Sequence, residues 1–170
     1  MHEKLPNRAV LGVRQMEILV HAALGHTYQQ TADALGISVN TVKNSLRRIM
    51  EKLDAGSRSH AVTMALRQGL LDLETLKELA VTKEFIEFPK ELDVASGHES
   101  LFEQIVRYVA QGYLNKEISQ ALGTSEQYIK NCIFSITRKL GARNRAHLII
   151  LALFNGLLDL QSLTEEPVTE

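Results

Sequence analysis

The chain has no tryptophan, a single cysteine and three prolines, and aromatic residues make up only 5% of its 170 positions. The lone Cys132 excludes an internal disulfide and suits a reducing cytosol. Its place at the edge of an apolar helical stripe makes it a small packed residue rather than a redox sensor. No signal peptide is visible, and the longest apolar run, Leu148 to Phe154, is far too short to span a bilayer. A cytoplasmic protein with no membrane partner is therefore expected. The six histidines (His2, His21, His26, His60, His98, His147) show no paired metal-ligand spacing. Paired carboxylates, a nucleophile elbow and a phosphate-cradling glycine loop are also missing. These absences give no case for an enzyme, a metal or a cofactor.

Charge of one sign is lacking overall, since the formal net charge is −1, yet its distribution is uneven. Residues 1–72 carry nine Lys and Arg against six Asp and Glu, and residues 73–97 carry three against six. Residues 98–161 carry seven against five, and 162–170 none against three. Two mildly basic blocks thus alternate with two acidic connectors. With 45% hydrophobic and 23% charged residues, the chain is globular rather than disordered.

Residues 38–53 are the stretch around which the first basic block is organised. Val42, Leu46, Ile49 and Leu53 step by four, three and four and form one apolar stripe on a helix. Asn40, Lys43, Asn44, Arg47 and Arg48 fall opposite, and Ser38 is placed to cap the helix start. Such a face can lie in a major groove, where Arg, Lys and Asn pair with base edges and phosphates. A solvated surface helix would show the same pattern, so the neighbouring segments decide.

Before it, a helix from about Arg14 to Leu24 stops at Gly25. Thr27 and Gln30 form a capping box for a short helix from Tyr28 to Leu35. Gly36 supplies the turn into Ser38, because glycine enters a left-handed conformation without strain. Two short helices joined this tightly make a helix-turn-helix. A fourth helix, about Ser59 to Gln68, ends at Gly69-Leu70, and Leu73, Leu76 and Leu79 predict one more short helix.

The pattern returns at an offset of 87: Leu35-Gly36 meets Leu122-Gly123, Lys43-Asn44 meets Lys130-Asn131, and Gly69 to Leu73 meets Gly156 to Leu160. Roughly a third of the positions from Gln15 to Glu74 are identical without a gap, which marks a duplication. The expected organisation is a first domain over 1–80, a linker over 81–99 with Phe85, Ile86 and Phe88 available to dock, a second domain over 100–165, and an acidic tail over 166–170.

Leu11-x-x-Arg14-x-x-Glu17-Ile18-Leu19, Ala32-x-x-Leu35-Gly36-Ile37-Ser38 and Thr41-Val42-Lys43 resemble the DNA-binding domain of LuxR-type (GerE-like) regulators. Lys52-Leu53 and Ala61-x-x-x-Ala65-x-x-x-Gly69-Leu70 extend the match. The second copy fits at Gly112, Asn115 to Ile118, Ala121 to Gly123, Ile129 to Asn131 and Lys139 to Gly141. The fourth helix ending in Gly-Leu separates both copies from region 4 of sigma factors. The resemblance implies an all-α fold of two tandem four-helix helix-turn-helix domains joined by a partly ordered linker. It also implies a transcriptional regulator that binds double-stranded DNA through its third helices. Lys43, Asn44 and Arg47 would reach bases, and Asn40, Thr41, Arg48 and Arg58 would hold phosphates. Gln127, Lys130, Asn131, Arg138 and Arg145 would do a reduced version of the same. The family usually attaches this domain to a phosphoacceptor or small-molecule domain, and the sequence leaves no room for either.

The second copy departs from the first in four ways. Its first helix lacks the Leu-x-x-Arg-x-x-Glu opening, with His98, Leu101 and Gln104 in those places. Leu114 replaces the Thr27 cap, a loss of about 1 kcal/mol unless Asn115 takes over. Tyr128, Phe134 and Ser135 replace Thr41, Arg47 and Arg48, so weaker DNA contact is expected. A helix from Ala146 to Phe154 is apolar on every side through Leu148, Ile149, Ile150, Leu151, Leu153 and Phe154. A helix of this kind must be covered all round. An isologous homodimer through it is expected, with pairing against Ala61 to Gln68 of the same chain as the alternative. An adaptor, whose second domain meets RNA polymerase or another regulator through Phe134 or this helix, is the other reading.

Overall fold

In the computed structural model, residues 9–81, 100–161 and 163 are described, and the fold below concerns them. The elements are α1 (Val13–Ala23), α2 (Tyr28–Leu35), α3 (Val39–Leu53), α4 (Arg58–Arg67), α5 (Leu73–Val81), α6 (Leu101–Ala110), α7 (Asn115–Ala121), α8 (Glu126–Lys139) and α9 (Arg145–Phe154). The described residues hold no strand, and α1–α4 and α6–α9 are two successive helix-turn-helix units. Phe85, Ile86, Phe88 and the acidic tail lie outside the described residues.

Side chains set most helix starts. Thr27 Oγ1 accepts from the Gln30 amide at 3.1 Å while Gln30 Oε1 accepts from the Thr27 amide at 2.9 Å, the predicted capping box. Ser38 Oγ accepts from the Thr41 amide at 3.0 Å and starts α3. At the equivalent of Thr27, Leu114 has no side chain to offer, and Glu117 closes the helix from the other end of the box. Its carboxylate accepts from the Leu114 amide at 2.6 Å. The compensation therefore comes from Glu117 and not from Asn115, whose Oδ1 accepts from Arg145 instead. The turn between α2 and α3 runs through Gly36 at φ +62°, as expected.

Val42, Leu46, Ile49 and Leu53 are all buried, so the stripe of α3 faces the core formed with α1 and α4. That orientation leaves the opposite face of α3 outside. In the second unit the corresponding stripe of Ile129, Ile133, Ile136 and Leu140 faces α6, with Ile133 partly buried and Cys132 buried beside it.

The two units pack directly on each other. Helix α4 lies against α9, and each also touches the first helix of the other unit, α4 on α6 and α9 on α1. Reciprocal contacts of this kind are what a local twofold axis produces. The details repeat across that axis. A Cβ on Gly25 would stand 2.8 Å from the His147 side chain, and one on Gly112 would stand 2.7 Å from the His60 ring. His147 Nδ1 accepts from the Arg143 amide at 3.2 Å and His60 Nδ1 from the Gly56 amide at 3.3 Å. Asn144 adds a contact that Ser57 cannot: it caps α9 and its amide donates to the Gly25 carbonyl at 2.9 Å.

The apolar helix α9 is covered inside the chain. Leu148, Ile149 and Ile150 are wholly buried and Leu153 nearly so, while Leu151 and Phe154 pack partly buried against the same core. The surface that suggested a homodimer is thus covered within one chain, by the alternative pairing of the two fourth helices. Each fully buried aliphatic side chain stabilises by about 1.5–3 kcal/mol, and the covalent link supplies the partner at high local concentration.

The junction also predicts a pH dependence. Burial, followed by the charge of Arg143 and then His26, lowers the His147 pKa to about 4. Burial, with Arg67 beside it, lowers that of His60 against the opposing pull of Asp54. A folded-state value below the unfolded value of about 6.5 means that the unfolded chain binds more protons in between. Stability is therefore complete above about pH 6.5 and is lost as the pH falls toward about 4. Urea midpoints should fall between pH 7 and pH 5, and His147→Gln should flatten that slope. Equal slopes in the variant and the parent would place the titration elsewhere.

Candidate nucleic-acid interface

With its stripe buried, α3 exposes Asn40, Thr41, Lys43, Asn44, Arg47 and Arg48 together. Arg47 Nε stands 3.8 Å from Glu51, and both side chains are largely in water, so this pair holds Arg47 only weakly. Lys43 Nζ lies over the ring of Tyr28 at 5.8 Å, and the Arg58 guanidinium lies over the same ring at 5.6 Å. Tyr28 is thus a half-exposed aromatic that steadies Lys43 and ties α2 to α3. The sequence pattern gave it no role, because its partners lie on two other helices.

Arg58 and Arg145, expected on phosphates, are occupied inside the protein. Arg58 Nη2 donates to the carbonyls of Ala22 at 3.2 Å and His26 at 2.5 Å, at the C-terminal end of α1. The carbonyls there carry the negative end of the helix dipole, which favours a cation. Arg145 repeats the arrangement, with Nη1 on Asn115 Oδ1 at 2.8 Å and Nη2 on the Tyr113 carbonyl at 2.5 Å. Burial pulls both guanidinium pKa values below the ordinary one. The two arginines thus make equivalent bonds at equivalent places in the two copies. Lys52 is similar, donating to the Val10 carbonyl at 2.8 Å and to Gln15 Oε1 at 2.9 Å, which fastens the chain entry to α3.

Helix α8 exposes Gln127, Tyr128, Lys130, Asn131, Phe134 and Arg138. Its polar groups are partly spent on one another. Lys130 Nζ is 2.9 Å from Glu126, which stands where α3 has Val39, and Gln127 Nε2 donates to Asn131 Oδ1 at 3.0 Å. Phe134 is 64% exposed, with the Arg138 guanidinium 5.9 Å above its ring. Leu114 at 64% and Tyr128 at 45% add to the apolar surface of the second unit.

Among the described residues no three His, Cys, Asp or Glu side chains are grouped to hold a metal ion. No described helix is long and apolar enough to cross a membrane.

The profile of "Bacterial regulatory proteins, luxR family" matches residues 9–65 and again 103–152, well over half of the sequence. The chain belongs to the LuxR family. Both matched segments end within the fourth helices, α4 and α9, so the family unit is present twice. Its LuxR-family relatives include the HTH-type transcriptional activator RamA of Corynebacterium glutamicum, 44% identical over 61 residues, which cover 36% of this chain and 22% of that protein. The probable transcriptional regulatory protein NarL of Mycobacterium tuberculosis is 39% identical over 67 residues, 39% of this chain and 31% of the relative. The response regulator protein VraR of Staphylococcus aureus is 35% identical over 75 residues, 42% of this chain and 36% of the relative. The chain thus spans well under half the length of these curated relatives. No solved structure matches with comparable significance.

Proposed function

We propose that this LuxR-family chain is a cytoplasmic transcriptional regulator that binds specific double-stranded DNA with both helix-turn-helix units of one polypeptide. The observation that carries this reading is the outward face of α3, where Asn40, Thr41, Lys43, Asn44, Arg47 and Arg48 are all exposed on a helix held rigidly by its buried stripe. Lys43, Asn44 and Arg47 would meet base edges, and Asn40, Thr41 and Arg48 the phosphates. Gln127, Lys130, Asn131 and Arg138 would make a weaker second contact. The separation of the two reading helices is then set by the α4–α9 junction rather than by linker length. Two units on one face of DNA would occupy grooves about 34 Å apart.

Two substitutions test the roles. Arg47→Ala should cost about 1–3 kcal/mol of specific binding and flatten preference at one base pair. An unchanged selected motif would return Arg47 to the status of a solvated charge. Lys43→Ala should weaken binding more than Lys130→Ala at the same salt, because Lys130 already faces Glu126. Equal losses would mean that both helices engage DNA alike.

The exposed Phe134, Leu114 and Tyr128 favour one second reading, an adaptor whose second unit docks RNA polymerase or another regulator while the first holds DNA. In that case Phe134→Ala would leave the DNA motif and affinity untouched.

A further inference from the structure

We infer that the DNA site is non-palindromic: α3 reads a half containing guanine, and α8 reads an A·T-rich half. This rests on the DNA-binding reading above. A homodimer repeats one reading helix and so selects a symmetric site. Here Leu148, Ile149 and Ile150 are buried inside the chain, and the fourth helices of the two unequal units satisfy each other. One molecule therefore presents one α3 and one α8, related by a local twofold axis, and two inverted but unlike half-sites follow.

The chemistry of each face assigns its half. On α3, the base-facing Lys43 and Arg47 are exposed, and guanine, with O6 and N7 both accepting, is the base that matches Arg and Lys donors. On α8 the Arg47 and Arg48 positions hold Phe134 and Ser135, so Lys130 faces DNA without those neighbouring arginines. Its exposed pair with Glu126, at 2.9 Å, weakens its reach without ending it. The base-reading groups that set this face apart are the amide pair Gln127 and Asn131, 3.0 Å apart, beside the exposed Phe134 ring. Side-chain amides match adenine N6 and N7, and an apolar ring meets the thymine methyl. Arg138, over that ring, fixes it and carries its charge one turn further along α8, toward the phosphates.

Selection of random duplex DNA by the intact chain at fixed salt tests this. The expected result is two unlike inverted halves about one helical turn apart, guanine fixed in one and A·T pairs in the other. Phe134→Ala should reduce preference for one thymine at least about fivefold. The double variant Phe134→Arg with Ser135→Arg should introduce guanine into the second half and bring the motif toward symmetry; Phe134 projects into solvent, so the fold tolerates the change. A symmetric wild-type motif would overturn the inference. So would a single half-site that neither variant alters, while the α3 reading would survive it. No enriched DNA at all would overturn the DNA-binding reading itself.

Discussion

Ile150→Glu is expected to unfold the chain rather than to release one subunit from another. Ile150 is 0% exposed on α9, which is enclosed by α4 and α6. A carboxylate there has no partner, and burying an unpaired charge belongs to the mechanisms that cost about 4 kcal/mol or more. That removes a large part of the roughly 5–15 kcal/mol that stabilises a typical domain. The wild-type chain should scatter light as a monomer at micromolar concentration. The variant should lose its cooperative melting transition. A wild-type dimer that Ile150→Glu turns into a folded monomer would restore the homodimer and reject the intramolecular pairing.

Gly25→Ala is the second change with a large expected effect. Gly25 adopts φ +79°, where an alanine costs about 1–2 kcal/mol from its Cβ alone. The new Cβ would also stand 2.8 Å from the Cβ and Cγ of His147, and overpacking of that kind adds about 1–3 kcal/mol. Gly36→Ala is the matched comparison, because Gly36 has a similar φ of +62° but nothing within 4 Å of its Cβ position. Denaturant midpoints should show the larger loss at Gly25. His147→Ala removes Cγ and Nδ1 but keeps the Cβ at 2.8 Å, so it should relieve part of the clash. A double-mutant cycle should give coupling of at least about 0.5 kcal/mol, and more with His147→Gly. Equal losses at Gly25 and Gly36, with no coupling to His147, would mean that the two units do not pack here.

Much of the fold follows from local rules. The spacing of Val42, Leu46, Ile49 and Leu53 is enough to orient α3, since a helix with one apolar stripe turns it inward whatever the partner is. The Thr27–Gln30 box, the Ser38 cap and the Gly36 turn are satisfied within a few residues of chain, so they are legible without knowing the fold. The duplication is legible for the same reason, because each copy repeats its own local signals. The exposed face of α3 is their geometric complement, which is why most of the candidate site in the first unit could be named residue by residue.

Other features depend on distant partners. Arg58 and Arg145 look like surface cations in sequence, yet each is bound to carbonyls 30 or more residues away. Tyr28 takes its place from Lys43 and Arg58, and Glu117 replaces a cap that Leu114 cannot form. The apolar helix α9 carries the plainest limit. Its composition determines that every side must be covered, because no face can be turned to water at low cost. It does not determine by what, since hydrophobic burial is non-directional and a second chain or the chain's own α4 would serve equally well. The reciprocal seats of His147 on Gly25 and His60 on Gly112 make that choice, because shape complementarity exists only once both surfaces are in place.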